Sequence, residues 1–179
     1  DRKEGDLALS DITRAAIRFL SKDLSKGFFL MVEGGKIDWA CHSNDAATAF
    51  REVMDLNEAI RQALQFYEEH PDETLIVISA DHETGGLVLG TGEYALNLQA
   101  LQYQRVSETG FTSILNGLRR QTGNRVAWEQ VEEALKANFG FWNEVKLTEA
   151  QEKRLRDVFD RTFTGESVEM EKSEYAQDE

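Results

Sequence analysis

The chain has 179 residues, of which 41% are hydrophobic and 30% charged, and its formal net charge at pH 7 is −13. That length is enough to bury a core, and so negative a charge argues against nucleic acid and anionic membrane surfaces as partners, because both select basic surfaces. No apolar run approaches the ~20 residues of a membrane-spanning helix, so no membrane partner is predicted. The single cysteine, Cys41, excludes a disulfide within the chain.

The first half of the chain alternates between helical and strand-like patterns. A helical pattern over residues 12–20 precedes an apolar run at residues 27–33, and a long amphipathic pattern at residues 45–70 precedes a second apolar run at residues 75–80. Near-continuous apolar runs are typical of parallel strands buried on both faces, and a strand, a long helix and a second strand form a right-handed crossover unit. The sequence therefore predicts an α/β fold with a parallel-sheet core and crossover helices.

The second half is predicted to be mainly helical. Residues 85–90 and 95–103 resemble two short strands of a hairpin. Three segments then carry helical periodicity, at residues 107–120, 127–138 and 147–163. Thr148 and Gln151 have the spacing of a capping box at the start of the last one.

Residues with metal-binding side chains follow both predicted strands. Glu33 ends the first strand, with Asp38 and His42 just after it, and Asp81 and His82 end the second. Because open parallel sheets bind ligands beyond the carboxyl ends of their strands, we expect these five side chains to converge on one edge. Three carboxylates and two imidazoles would repel one another there unless cations were bound. Zinc takes imidazole nitrogen and carboxylate oxygen, whereas magnesium takes carboxylate oxygen, so the pattern predicts a multinuclear metal site.

Each of these residues also has an ordinary structural interpretation. Asp81 after a strand is a common helix cap, and Glu33 in a loop is by default solvated. Asp38 and His42 share one face only if their segment is helical, since their spacing is i, i+4. The convergence of the two strand ends, rather than any single residue, carries the metal-site hypothesis.

Three segments of the sequence resemble the alkaline phosphatase family, in order and at the family's spacing: GFFLMVEGGKIDWACHSNDAA, EVMDLNEAIRQAL and TLIVISADHETGG. The resemblance is closest from residue 13 to residue 86. It implies two zinc ions and one magnesium ion, and hydrolysis of phosphate monoesters through a phosphoserine intermediate. By position, Glu33 resembles the magnesium ligand, Asp38 and His42 resemble ligands of the first zinc, and Asp81 and His82 resemble ligands of the second.

The resemblance also implies what this sequence does not contain. The family's nucleophilic serine, its phosphate-clamping arginine, an aspartate shared between zinc and magnesium and a second magnesium ligand precede the matched region, and nothing in residues 1–9 corresponds to them. A further zinc histidine follows that region, and no histidine follows His82. We therefore expect an inactive internal fragment with no catalytic residue of its own. Trp39 is expected near the substrate, where other members have lysine or histidine.

The resemblance further divides the chain. Residues 1–95 are expected to form part of the alkaline phosphatase-like core, residues 96–165 a mainly helical insertion, and residues 166–179 an acidic, disordered tail. It implies a periplasmic or secreted enzyme that forms a homodimer when intact. Two alternatives stay open: a non-catalytic folded module, and a related metal-dependent phosphomutase or sulfatase. The Val-Glu-Gly-Gly stretch at residues 32–35 favours the phosphatase, since it includes the carboxylate for the third metal.

Overall fold

The computed structural model describes residues 3–84 and 97–163. These residues belong to two compact units, one within residues 2–87 and the other within residues 88–179. Within the described ranges, every helix is too short or too polar to cross a lipid bilayer.

The first unit is built on one long helix. Helices α1 (Leu9–Leu20), α2 (Gly35–His42) and α3 (Ala46–Glu69) form it, with a 3-10 turn at Leu24–Lys26. Helix α3 packs against both α1 and α2. On α1, Ile17 is buried. The buried apolar side chains of α2 and α3 are all alanines, which lets the helices approach closely: Ala40, Ala46, Ala47, Ala49 and Ala59. The long helix predicted at residues 45–70 is therefore present.

A tight turn fixes α2 against the start of α3. Asn44 adopts a φ of 52°, and the buried side chain of Asp45 caps α3. Asp45 Oδ1 accepts a hydrogen bond from the Thr48 backbone N–H at 3.1 Å, and its Oδ2 accepts one from the Thr48 hydroxyl at 2.7 Å. Since the first N–H groups of a helix lack partners within it, this cap defines where α3 begins, four residues after His42.

Gly34 allows the chain to enter α2 close to α3. A Cβ atom at this position would lie 2.9 Å from Ile37 Cδ1 and 3.1 Å from Leu56 Cδ2. Both distances are shorter than ordinary van der Waals contacts, so a larger residue would require the ends of the Ile37 and Leu56 side chains to move.

The predicted parallel sheet is wrong for the described residues. Residues 27–33 and 75–80 belong to no strand there. Over residues 3–84 and 97–163, the β-structure consists of one isolated bridge between Phe141 and Val145. The predicted burial is wrong as well, because Phe29 and Leu75 are each 87% exposed. An apolar run identifies a segment suited to a buried strand, but a strand is stabilised by hydrogen bonds to neighbouring strands. Neither run has such a neighbour within the described residues.

The second unit is helical. It contains a 3-10 helix at Leu98–Tyr103 and helices α4 (Glu108–Thr122), α5 (Trp128–Phe139) and α6 (Glu149–Phe163). The three predicted α-helices are thus present. The strand predicted at residues 95–103 is wrong over Leu98–Tyr103, where i to i+3 bonding winds the chain into the 3-10 helix. The strand predicted at residues 85–90 and the predicted tail at residues 166–179 lie outside the described residues.

Aromatic packing forms the core of this unit. Val126, Trp128, Val131 and Leu135 are buried together. The Trp128 ring meets Phe159 and Trp142 edge to face, at centroid distances of 5.4 and 6.3 Å, and its indole N–H donates to Glu132 at 2.6 Å. At the start of α6 the predicted capping box is confirmed, since Thr148 N–H donates to Gln151 Oε1 at 2.9 Å and Gln151 N–H donates to Thr148 Oγ1 at 3.3 Å.

Candidate metal centre

Helix α2 brings Asp38 and His42 together. The segment is helical, so the i, i+4 spacing places both side chains on one face, with His42 Nε2 3.4 Å from Asp38 Oδ1. Both side chains are open to solvent in part, which leaves their oxygen and nitrogen atoms accessible. The pair offers one carboxylate and one imidazole, two of the donor types that zinc prefers.

Asp81 and His82 form a second pair just after the second apolar run. His82 Nε2 lies 3.5 Å from Asp81 Oδ2, and the His82 backbone N–H donates to Asp81 Oδ1 at 3.0 Å. The His82 Nδ1 atom lies 2.7 Å from the carbonyl oxygen of Glu83. Because a carbonyl only accepts, Nδ1 carries the proton of this bond, and Nε2 of the neutral ring keeps its lone pair. Histidine ligands of metals are held in this manner in many sites.

The electrostatics of His82 connect the two pairs. The hydrogen bond to the Glu83 carbonyl raises the pKa of His82, and the negative charge of Asp81 raises this pKa further. The charge of Asp38 contributes in the same direction. Exposed charges more than about 10 Å apart are largely screened by salt, and a contribution from Asp38 agrees with the short distance that the Thr84 contact implies.

Thr84 joins the two pairs directly. Its hydroxyl donates a hydrogen bond of 3.0 Å to Asp38 Oδ1, across 46 residues of sequence. The structure therefore places the segment that follows Asp81 and His82 against the helix that carries Asp38 and His42, although without the sheet edge that was expected there. The sequence did not indicate Thr84, because a threonine hydroxyl is not among the usual ligands of zinc. Its signal was a hydroxyl two residues beyond the Asp-His dipeptide.

Glu33 stands apart from these pairs. Its side chain folds back over the start of α2, where a Cβ at Gly35 would lie 3.3 Å from Glu33 Oε1. Among the described residues it shares no hydrogen bond or ion pair with the four other predicted ligands. The structure thus does not join the predicted magnesium ligand to the two Asp–His pairs.

The donor atoms of the two Asp–His pairs are of the types that zinc binds, but each pair has fewer donors than a zinc site needs. Each Asp–His pair presents one oxygen and one nitrogen, whereas a zinc site takes three or four protein donors. Over residues 3–84 and 97–163, no group of three or more histidine, cysteine, aspartate or glutamate side chains is arranged to hold a metal ion. Each pair therefore matches about half of a zinc site.

Trp39 lies on the same short helix as Asp38 and His42. Its side chain is 65% exposed, and the Lys36 ammonium sits over its ring, with Nζ 3.6 Å from the centroid. This is close contact for a cation on an indole face. Lys36 makes no ion pair with a carboxylate in the described part of the chain. An accessible positive charge thus lies within one helical turn of Asp38.

Known proteins that are similar to this chain carry one family name. The sequence model described as "Alkaline phosphatase" matches residues 1–170. "Alkaline phosphatase 4" of Bacillus subtilis is 44% identical over 90 residues, which are 50% of this chain and 19% of that protein. "Repressible alkaline phosphatase" of Saccharomyces cerevisiae is 48% identical over 82 residues, or 46% of this chain and 14% of that protein.

An animal alkaline phosphatase is also similar to this chain over a small part of its own length. The "Alkaline phosphatase, tissue-nonspecific isozyme" of Mus musculus is 37% identical over 118 residues, which are 63% of this chain and 21% of that protein. The matched part of the chain thus spans between 14% and 21% of the length of these relatives. No solved structure gives a significant match. Because the family model matches nearly the whole sequence, this chain belongs to the alkaline phosphatase family.

Proposed function

We propose that this chain is part of a metal-dependent phosphate monoester hydrolase. In this proposal Asp38 and His42 are ligands of one zinc ion, Asp81 and His82 are ligands of a second, and Glu33 is a ligand of magnesium. The observation that carries it is the hydrogen bond from Thr84 to Asp38, which ties the segment after Asp81 and His82 to the helix of Asp38 and His42. Two unrelated Asp–His pairs on a surface would have no reason to be joined in this way.

Residues of this chain orient the proposed metal-binding side chains. The Glu83 carbonyl accepts from His82 Nδ1–H, so Nε2 of the neutral ring is the nitrogen left for a metal, and α2 holds Asp38 and His42 at a constant spacing. Bound zinc and magnesium would contribute positive charge that stabilises the oxygens of the phosphoryl group during transfer. Such charge is needed here because a chain with a net charge of −13 repels a phosphate anion.

We place the serine nucleophile outside these 179 residues. Ser43, next to His42, ends α2, and its hydroxyl makes no hydrogen bond to a base within the described ranges. A serine hydroxyl is a weak nucleophile until a base or a metal activates it. The isolated chain is therefore proposed to be inactive, whereas the complete protein, which we propose to be a periplasmic or secreted homodimer, hydrolyses phosphate monoesters.

One set of variants of the complete protein tests this proposal. Hydrolysis of p-nitrophenyl phosphate should require zinc and magnesium and should be abolished by a chelator. His42→Gln and Asp81→Asn should each lower kcat/KM by ~100-fold or more, because a metal loses a ligand. His70→Gln is the matched control, since that histidine ends α3 and stacks on Phe66 at 4.7 Å. Chelator-resistant activity, or equal losses in His70→Gln and His42→Gln, would contradict the proposal.

A further inference from the structure

The Thr84 hydroxyl is directed at one oxygen of one proposed zinc ligand. It donates to Asp38 Oδ1 at 3.0 Å, and His42 Nε2 approaches the same oxygen at 3.4 Å. Within the described residues, Asp38 Oδ2 has no hydrogen-bond partner. The two oxygens of this carboxylate are therefore distinguished, one bonded within the protein and one left for a ligand.

We propose that Thr84 is a positioning residue that orients the Asp38 carboxylate for metal binding. The inference rests on the proposed function, since it assigns Thr84 a role toward a zinc ligand. The terminal torsion of an aspartate is broad, so an isolated Asp38 on α2 would rotate between its two oxygens. A hydrogen bond from a residue on a different segment removes that freedom. Hydrogen-bonded supports of ligating carboxylates contribute strongly to metal affinity in other sites.

The surroundings agree with a role at this particular ligand. The Asp38 side chain is 37% exposed, the least of the four residues in the two Asp–His pairs. The hydrogen bond is itself partly buried, so water competes with it less than at an open surface. Thr84 follows His82 by two residues, so the same contact that orients Asp38 also anchors the segment that carries the second pair.

A merely structural role for Thr84 predicts different behaviour. If Thr84 only fastened residues 81–84 to α2, loss of its hydroxyl would lower the metal-free melting temperature and leave the zinc affinity unchanged. Thr84→Val keeps the shape and removes the donor, whereas Thr84→Ser keeps the donor and removes the methyl group. Thr84→Ala is a second variant that lacks the hydroxyl, in case the valine variant does not fold.

The experiment measures zinc affinity and kinetics in the complete protein. Zinc is titrated in competition with a chromophoric chelator, and the metal-free proteins are compared by thermal unfolding. We expect Thr84→Val to weaken zinc binding by ~10- to 100-fold, and Thr84→Ser to stay within ~3-fold of the parent. Because Thr84→Val loses one partly buried hydrogen bond, its metal-free melting temperature should fall by no more than about 5 °C. At saturating zinc, kcat should recover in Thr84→Val, which identifies the loss as one of metal binding.

The possible outcomes separate this inference from the function beneath it. A parent protein that binds zinc and hydrolyses the ester, together with a Thr84→Val variant of unchanged zinc affinity, overturns the role of Thr84 and leaves the proposed function standing. A parent protein without zinc binding overturns the proposed function itself. Failure of both Thr84→Val and Thr84→Ala to fold also contradicts the inference, because it makes Thr84 a structural residue.

Discussion

The Lys36 ammonium lies over the ring of the exposed Trp39 side chain, 3.6 Å from the ring centroid, on the helix that also carries Asp38. The indole restricts a long, flexible side chain and so places one positive charge on the helix that carries Asp38 and His42. In a protein that carries 33 acidic and 20 basic residues, a localised cation at this position favours the approach of an anion.

The first prediction concerns this pair. In the complete protein, Lys36→Gln should raise KM for a phosphate monoester by ~5-fold with little change in kcat, and the effect should shrink at high ionic strength, because exposed charges are screened by salt. Steady-state kinetics at low and high salt provide the measurement. Lys22→Gln is the control, since Lys22 sits over Phe19 in the same manner, 4.9 Å from its centroid, at the end of α1. Equal changes in both variants would refute a specific role for Lys36.

The second prediction concerns His82. The Glu83 carbonyl bond and the charges of Asp81 and Asp38 raise its pKa, so the protonated ring is favoured in the folded chain. A group whose pKa is raised on folding stabilises the fold at low pH, and this contribution is lost as the pH rises through the folded-state pKa. NMR titration of the metal-free chain should show that the pKa of His82 lies above the ordinary histidine value. Asp81→Asn should lower it, and Asp38→Asn should lower it less. Insensitivity to Asp38→Asn would show that the two pairs are apart, and insensitivity to Asp81→Asn would show that Asp81 does not raise this pKa.

The third prediction concerns the cap of α3. Asp45→Ala removes both acceptors of Thr48 and should lower the free energy of unfolding of the first unit by ~1–2 kcal/mol. Asp45→Asn keeps a side-chain oxygen and should lower it less. Urea denaturation monitored by circular dichroism measures both values. Should the two variants prove equally stable, the capping bond would not hold the start of α3.

The fourth prediction concerns the core of the second unit. Leu135 is buried beside Trp128 and Val131, so Leu135→Ala should destabilise this unit by about 2–4 kcal/mol through lost burial and the remaining cavity. Leu98→Ala removes the same atoms at a half-exposed position and should change stability by less than ~1 kcal/mol. Thermal unfolding of the two variants makes the comparison, and a similar shift for both would place Leu135 outside the core.

Local patterns in the sequence were sufficient to predict the helices. The periodicity of residues 45–70 and the Thr148–Gln151 spacing both appear in the structure, because helical hydrogen bonds and caps join residues that are close in sequence. The apolar runs at residues 27–33 and 75–80 were misassigned as sheet, since a strand depends on partners that no local pattern contains. The pairing of Asp38 with His42 followed from helical spacing. The contact with Thr84 did not, because it spans 46 residues.

The central claim is that Asp38, His42, Asp81 and His82 hold zinc, and anomalous X-ray scattering tests it without reference to activity. Crystals of the complete protein loaded with zinc should give two peaks in the anomalous difference map. One should mark a zinc ion bound to Asp38 and His42 and the other a zinc ion bound to Asp81 and His82, each ~2.0–2.2 Å from its ligand atoms. Data collected on both sides of the zinc absorption edge would identify the element. Zinc peaks at other residues, with these four side chains free of metal, would contradict the account.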